Sequence, residues 1–271
     1  MRRRLTYIFV SAAVCILLIS VWQLLHIRPH LVPEFDGSYY WTKKESYFAP
    51  WIYAEVPAGF EYFLYIPHGF DYDNADARIP MIVVFHGQSG KYSSLTQLGR
   101  QFLKQNFQHA MGSKGCAVLV VLSRIDYHTD PPGTARLIKN ILLKYPCIDR
   151  TRTAGYGFSQ GAAFVVQLAA YDPSLFKAVI SGSGYYEPSA AELIRAMPVC
   201  FYTAVSENDT GIFEHGSRTG RRLALLCRNS RYVQYKSRYH FWLELDDKSG
   251  RADETVLSWF VSVMNDGKRV Y

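Results

Sequence analysis

A serine between two glycines offers the clearest chemistry in this sequence. Gly157, Ser159 and Gly161 form a G-x-S-x-G motif between RTAGYG (152–157), which has strand character, and GAAFVVQLAAY (161–171), which has the apolar content of a buried helix. A tight turn from strand to helix exposes the serine hydroxyl, and the glycines keep β-carbons away from it. We therefore predict that Ser159 is a nucleophile, with a plain serine N-cap of the helix as the alternative.

A serine hydroxyl is a weak nucleophile unless a base removes its proton, so a histidine is required. Only His215 and His240 follow Ser159 in the chain. His240 comes four residues after the predicted strand RYVQYK (231–236), in a loop that can reach over the nucleophile, whereas His215 falls in a predicted helix. This placement predicts His240 as the general base.

The histidine needs an acid that holds its tautomer and stabilises its charged form. Two candidates, Glu207 and Asp209, follow the predicted strand VCFYTAV (199–205) in the polar turn SENDTG. Asp209 lies deeper in this turn, so we predict that Asp209 orients His240 and keep Glu207 as its rival.

A third element, His86-Gly87-Gln88, follows the apolar run MIVVF (81–85). A turn at this point can direct the backbone amide of Gln88 toward the reacting carbonyl, beside the amide of Gln160 at the start of the next helix. Two such donors form an oxyanion hole for acyl transfer. We expect His86 itself to orient the loop and not to act as a base.

Strands alternate with helices through the rest of the chain, which predicts a parallel sheet covered on both faces and hence an α/β fold. The predicted strands are 61–67, 81–85, 117–122, 152–157, 177–182, 199–205 and 231–236, and the predicted helices are 92–110, 137–145, 161–171, 189–197, 213–227 and 252–264.

The N-terminus has a different pattern. Residues 2–4 are three arginines, and residues 5–25 form a stretch of 21 residues without a formal charge. A helix of this length reaches about 31 Å, close to the thickness of the bilayer hydrocarbon. We expect one transmembrane helix with its N-terminus in the cytosol and the following chain periplasmic or otherwise extracytoplasmic. A cleavable signal peptide and a buried N-terminal helix are the alternatives.

This interpretation divides the chain into three parts. Residues 1–28 are expected to be the membrane anchor, 29–58 a stalk and entry region, and 59–271 the catalytic domain. The formal net charge is +7, and four of these charges are arginines within the first 28 residues. The charge left on the domain is too small to suggest a nucleic-acid partner.

Four cysteines follow the anchor, namely Cys116, Cys147, Cys200 and Cys227. Their spacing, like that of the histidines, does not resemble a zinc site, so we expect neither a metal nor another cofactor. An extracytoplasmic location would permit disulfides. Cys200 with Cys227 is the preferred pair, because each is expected near the start of one of two adjacent strands; four buried thiols are the alternative.

The segments FLYIP, VVFHGQSG and DRTRTAGYGFSQGAA, with the acid after the strand 199–205 and Trp two residues beyond His240, resemble α/β-hydrolase esterases. They are most similar to the feruloyl esterase and polyhydroxyalkanoate depolymerase group and to the phospholipase/carboxylesterase group. The chain differs from the pattern at Tyr239, where the family has glycine. The resemblance implies a mostly parallel eight-stranded sheet, a triad of Ser159, Asp209 and His240, and oxyanion donors at Gln88 and Gln160.

The resulting expectation is a serine hydrolase that acts on a small-molecule or polymer-borne ester through an acyl-enzyme on Ser159. Two alternatives remain: a membrane-tethered acyltransferase with the same triad, and a non-catalytic binding protein with the same fold. Residues 183–197 are expected to shape the specificity, because they follow the predicted strand 177–182 and can form a short cap.

Overall fold

A computed structural model describes residues 39–49, 58–67, 76, 78–92, 115–123, 130–236, 238–241, 243 and 254–265. The strands are β1 (Tyr39–Ala49), β2 (Ala58–Pro67), β3 (Ile79–Phe85), β4 (Ala117–Ser123), β5 (Ile148–Phe158), β6 (Ala178–Gly182), β7 (Cys200–Ser206) and β8 (Arg231–Tyr235). The helices are α1 (Pro131–Lys144), α2 (Gln160–Tyr171), α3 (Ala190–Ala196), α4 (Thr210–Leu226) and α5 (Val256–Asn265), with short 3₁₀ helices at Gln88–Tyr92 and Pro173–Leu175.

The eight strands form one sheet in the order β1-β2-β4-β3-β5-β6-β7-β8. Strand β2 is antiparallel to both β1 and β4, and all other neighbours are parallel. The prediction of a mostly parallel α/β sheet is therefore confirmed. Because the strands from β3 to β8 point the same way, their carboxyl ends meet at one edge, where open α/β sheets carry their sites.

Strand β1 differs from the sequence prediction, which assigned residues 29–58 to a stalk. Residues 39–49 instead pair with β2 along their whole length, with one register shift between Trp41 and Lys43. The stretch escapes recognition because three aromatic residues stand in succession at its start, so the two-residue alternation of a half-buried strand is missing.

The core has two layers, one on each face of the sheet. Helices α1 to α4 cover one face, on which Phe164 of α2 and Leu223 of α4 are fully buried together with Phe85 of β3. Helix α5 covers the other face, where Trp259 packs beside the Tyr202 ring at 5.2 Å between centroids. Helices on both faces were predicted from the alternation of elements, and the structure confirms them.

Helix α1 begins six residues before its predicted start at 137. The Asp130 carboxylate accepts a hydrogen bond from the Gly133 amide at 2.7 Å, and a proline at the first helical position is compatible with helix geometry. The expected helix 92–110 and the expected anchor at 1–28 lie outside the described residues. Within the ranges described, no helix has both the length and the apolar character needed to cross a bilayer.

The preferred disulfide is not formed. Cys116, Cys147, Cys200 and Cys227 are thiols outside any disulfide, and three of them are buried, close to the alternative that the sequence left open. Cys227 ends α4, and its thiol donates to the Ala196 carbonyl at 3.7 Å instead of bonding to the Cys200 sulfur. Burial, with a smaller effect of Cys200, raises the pKa of the Cys227 thiol to about 12.

Two glycines in α4 give opposite expectations for the same substitution. A β-carbon at Gly211 would meet nothing within 4 Å, whereas one at Gly216 would lie 2.7 Å from Val205 Cγ1 on β7. Gly211→Ala should raise the free energy of unfolding by about 0.5 kcal/mol through reduced backbone entropy of the unfolded chain. Gly216→Ala should lower it by about 1–3 kcal/mol through overpacking. Chemical denaturation of both variants tests this, and shifts of the same sign would contradict the packing of α4 on β7.

Candidate active site

Ser159 occupies the turn between β5 and α2 with a backbone that most residues avoid. Its φ is 56° and its ψ is −120°. Its amide donates to the Gly182 carbonyl of β6 at 3.0 Å, and its carbonyl accepts from the Ala163 amide of α2 at 3.1 Å. Strand β6 and helix α2 therefore hold the strained residue in place. The hydroxyl does not cap α2, so the alternative of a plain N-cap serine does not apply.

The two glycines of the motif are required by close backbone approaches. A β-carbon on Gly157 would lie 2.2 Å from the Gly161 carbonyl oxygen, and one on Gly161 would lie 2.3 Å from the Phe85 carbonyl oxygen. Real β-carbons do not approach backbone oxygens so closely. The turn can therefore form only with glycine at both places. The sequence predicted the need for glycine from crowding of the serine hydroxyl, and the structure adds these clashes with the backbone.

His240 joins the other two predicted residues. Its Nε2 lies 2.8 Å from Ser159 Oγ, and its Nδ1 lies 2.8 Å from Asp209 Oδ2. Because a carboxylate only accepts hydrogen bonds, Nδ1 is the nitrogen that carries the hydrogen in the neutral ring. Nε2 is then free to accept the hydroxyl proton of Ser159, which is the tautomer that a general base needs.

Asp209 stands immediately before α4, and its side chain is only 11% exposed. As the N-cap residue it could bond to the free amides of the first helical turn, but its carboxylate makes no such bond and faces His240 instead. As the residue before α4, Asp209 lies at the positive end of the helix dipole.

The rival residues lie elsewhere. Glu207 accepts a hydrogen bond from Gln234 Nε2 at 2.6 Å, away from the histidine. His215 pairs through Nδ1 with Glu187 Oε1 at 2.5 Å and stacks on the Tyr185 ring. The hydrogen bond from His215, and then the nearby Arg218 charge, hold the pKa of Glu187 below its ordinary value.

The predicted oxyanion segment lies against Ser159. A β-carbon on Gly87 would come within 3.2 Å of Ser159 Cβ, so the chain leading to Gln88 passes directly beside the serine. Gln160 is the first residue of α2. His86 is buried, and its Nδ1 donates to the Gly87 carbonyl at 2.6 Å, an arrangement in keeping with a residue that orients the loop.

Two aromatic residues lie beside the histidine. The Phe158 ring lies 5.1 Å from the His240 ring, and Tyr239 is 74% exposed beside it. Phe158 could have been noticed as the variable residue before the serine, whereas Tyr239 was noted in the sequence only as a difference from the esterase pattern. Among the residues described, no group of three or more histidine, cysteine or carboxylate side chains is arranged to hold a metal ion.

Comparison with solved structures identifies the fold as the α/β-hydrolase fold. A thermostable esterase superposes with a TM-score of 0.58 at 18% identity over 82% of this chain, which spans 60% of that protein. A hyperthermophilic esterase from the archaeon Pyrobaculum calidifontis gives 0.54 at 15% identity, over 91% of this chain and 87% of that one. A ferulic acid esterase gives 0.52 at 12% identity, over 74% and 92% respectively.

No protein-family model matches the chain. No curated protein matches it in sequence either. The structural likeness to these esterases confirms the resemblance that the motifs indicated. Because the identities are low, the likeness establishes the fold alone.

The positive φ of Ser159 leads to a prediction about the stability of two variants. Glycine adopts a positive φ without the steric penalty of a β-carbon, so Ser159→Gly should unfold at a higher temperature than Ser159→Ala, by the equivalent of about 1 kcal/mol. Thermal unfolding of the two variants, both of which lack the hydroxyl, measures this difference. Equal midpoints would show that the turn is not strained in solution.

Proposed function

We propose that the protein is a serine hydrolase that cleaves carboxylic esters through an acyl-enzyme on Ser159. The observation that carries the proposal is the position of His240, within 2.8 Å of both the Ser159 hydroxyl and the Asp209 carboxylate. Serine hydrolases recur on many folds with this relation of nucleophile, base and acid. The solved esterases that share the fold support an ester as the substrate.

In the proposed reaction, Ser159 Oγ attacks the ester carbonyl carbon while His240 Nε2 takes the hydroxyl proton. The amides of Gln88 and Gln160 donate to the oxyanion that forms, and Asp209 stabilises the charged imidazole. The tetrahedral adduct then expels the alcohol, which receives the proton from His240. Water attacks the remaining acyl-enzyme by the same steps in reverse and releases the carboxylic acid.

Exposure of the base favours water over another acyl acceptor. The His240 side chain is 40% exposed, so water can approach the proposed base. An acyltransferase would have to exclude that water, and a non-catalytic binding protein would have no use for a strained serine bonded to histidine. These features favour hydrolysis over the two alternatives, and we propose a carboxylic ester as the substrate.

The proposal predicts how the protein reacts with a fluorophosphonate probe, which labels activated serines. The full chain should be labelled at Ser159, and His240→Ala should slow labelling and the turnover of a short acyl ester by about 10⁴-fold, because the serine loses its base. Peptide mass spectrometry identifies the labelled residue, and a spectrophotometric assay follows the ester.

His215→Ala provides the matched control. His215 also pairs with a carboxylate and has a similar exposure, 44% against 40%, but it does not contact a serine. Labelling and turnover in this variant should stay within about twofold of the unaltered protein. A folded full chain that is not labelled at Ser159, or a His240→Ala variant that keeps its activity, would contradict the proposed function.

We further propose that residues 5–25 anchor the protein in a membrane, with the catalytic domain on the extracytoplasmic side. The support is the sequence, a span of uncharged residues preceded by three arginines. A lysine at the centre of such a helix costs about 2.5–3.5 kcal/mol of insertion free energy. Leu17→Lys should therefore reduce the fraction that resists extraction from membranes by alkaline carbonate.

Gln23→Lys is the control for this test, because a lysine near the end of the span can reach the headgroups. It should remain in the membrane fraction. Complete release of the unaltered chain by carbonate would contradict the anchor, as would an N-terminus that begins after residue 25.

A further inference from the structure

Two buried serines stand at the ends of neighbouring strands beneath the His240 loop. Ser183 directly follows β6, and Ser206 is the last residue of β7; neither is exposed to solvent. A buried hydroxyl must find a hydrogen-bond partner or destabilise the fold. Both of these hydroxyls find theirs on the backbone of the same loop.

The two hydrogen bonds lie on either side of His240 in the chain. The Ser183 hydroxyl accepts from the Phe241 amide at 3.1 Å, one residue after the histidine. The Ser206 hydroxyl donates to the Arg238 carbonyl, two residues before it. Together they fix the backbone from 238 to 241, the segment from which the imidazole projects.

Each serine is also tied to another member of the triad. Ser183 follows Gly182, whose carbonyl accepts the amide of Ser159 at 3.0 Å. The Ser206 carbonyl accepts the amide of Asp209 at 3.0 Å. The ends of β6 and β7 therefore hold Ser159, Asp209 and the histidine loop. The relative positions of these three groups are set by the same two strand ends.

We propose that Ser183 and Ser206 are positioning residues that hold the loop so that His240 reaches Ser159 and Asp209 at once. The inference rests on the proposed function and adds to it a pair of residues that touch neither substrate nor reacting atoms. Their effect is on geometry, because a displacement of about 1 Å at a reacting group can lower a rate by about two orders of magnitude.

Packing alone gives this loop limited support. Tyr239 is 74% exposed and the His240 side chain is 40% exposed, so the centre of the loop has few neighbours. Arg238 lies over the Tyr235 ring at 4.4 Å, and the Phe241 ring meets that of Tyr235 at 4.9 Å. These contacts hold the two ends of the loop by their side chains, whereas the serines set the path of the backbone between them.

Ser183 has a second unusual property that makes the test sharper. Its φ is 51°, a conformation that favours glycine over any residue with a β-carbon. Ser183→Gly removes the hydroxyl and relieves the backbone at the same time. Ser183→Gly can therefore separate a loss of positioning from a loss of stability. Ser183→Ala and Ser206→Ala cannot separate the two effects on their own.

Ser230 provides a matched control for both serines. It is also buried, and its hydroxyl accepts from the Phe201 amide at 2.8 Å, but this bond lies at the opposite end of β7 from the active site. Ser230→Ala deletes the same kind of buried hydrogen bond from the same sheet without touching the histidine loop.

The experiment measures kcat and KM for a short acyl ester, the rate of fluorophosphonate labelling at Ser159 and the thermal midpoint. It uses full-chain protein carrying Ser183→Gly, Ser183→Ala, Ser206→Ala or Ser230→Ala. We expect kcat and the labelling rate to fall roughly 10-fold or more in the first three variants. KM should change by less than about twofold, because the serines do not touch the substrate. Ser183→Gly should match or exceed Ser183→Ala in thermal midpoint, and Ser230→Ala should lose stability but keep its kcat.

The effects of the two serine substitutions on kcat should also be coupled. Once either bond is lost the loop can move, so Ser183→Ala combined with Ser206→Ala should lower kcat by less than the product of the two single effects. The proposal is overturned if Ser183→Gly and Ser206→Ala keep the kcat of the unaltered protein, or if Ser230→Ala loses as much. An unaltered chain that neither labels at Ser159 nor turns over ester would instead overturn the proposed function, and the positioning role with it.

Discussion

The left-handed backbone of Ser159 is the constraint on which the site is built. A residue with a β-carbon at a φ of 56° is unfavourable by itself, so the surrounding structure has to impose it. Strand β5 lies between β3 and β6, and the Ser159 amide is bonded to the end of β6. The glycines at 157 and 161 then let α2 start against the end of β3, which leaves the hydroxyl as the part of the residue that faces outward.

The direction of the strands explains how residues far apart in sequence meet at this hydroxyl. Strands β5, β6, β7 and β8 are parallel neighbours, so the loops after them open at the same edge. Ser159 follows β5, Asp209 follows β7 and His240 follows β8. The one strand between them, β6, does not supply a reacting group, and its end instead accepts the Ser159 amide and leads to Ser183.

Those parts of the site that depend on local pattern could be predicted from the sequence. The motif at 157–161 has its own steric logic, and chain order left only two histidines to choose between. The choice of Asp209 over Glu207 rested on depth in the turn, and the structure adds a reason. The Glu207 amide is bonded to the Tyr235 carbonyl, and its side chain follows β8 to Gln234.

Features set by distant contacts could not be predicted. Strand β1 exists through its pairing with β2, and its own residues do not alternate. The predicted disulfide is not formed. The placement of two cysteines near the starts of adjacent strands does not determine the directions in which their sulfur atoms point. Ser183 and Ser206 bond to residues 58 and 32 positions away, and a serine after an apolar strand is too common to indicate such a bond.

Openness and precision place opposite demands on this edge of the sheet. In the proposed reaction, substrate and water must reach His240, so the loop that carries it cannot be packed under other elements. An exposed loop ordinarily moves. Hydrogen bonds from beneath satisfy both demands, because they restrain the backbone from the buried side and leave the outer side clear. Bonds to buried hydroxyls suit this purpose since water cannot easily replace them. The two serines thereby connect the backbone that carries His240 to the rigid ends of β6 and β7, although His240 itself does not lie in a strand.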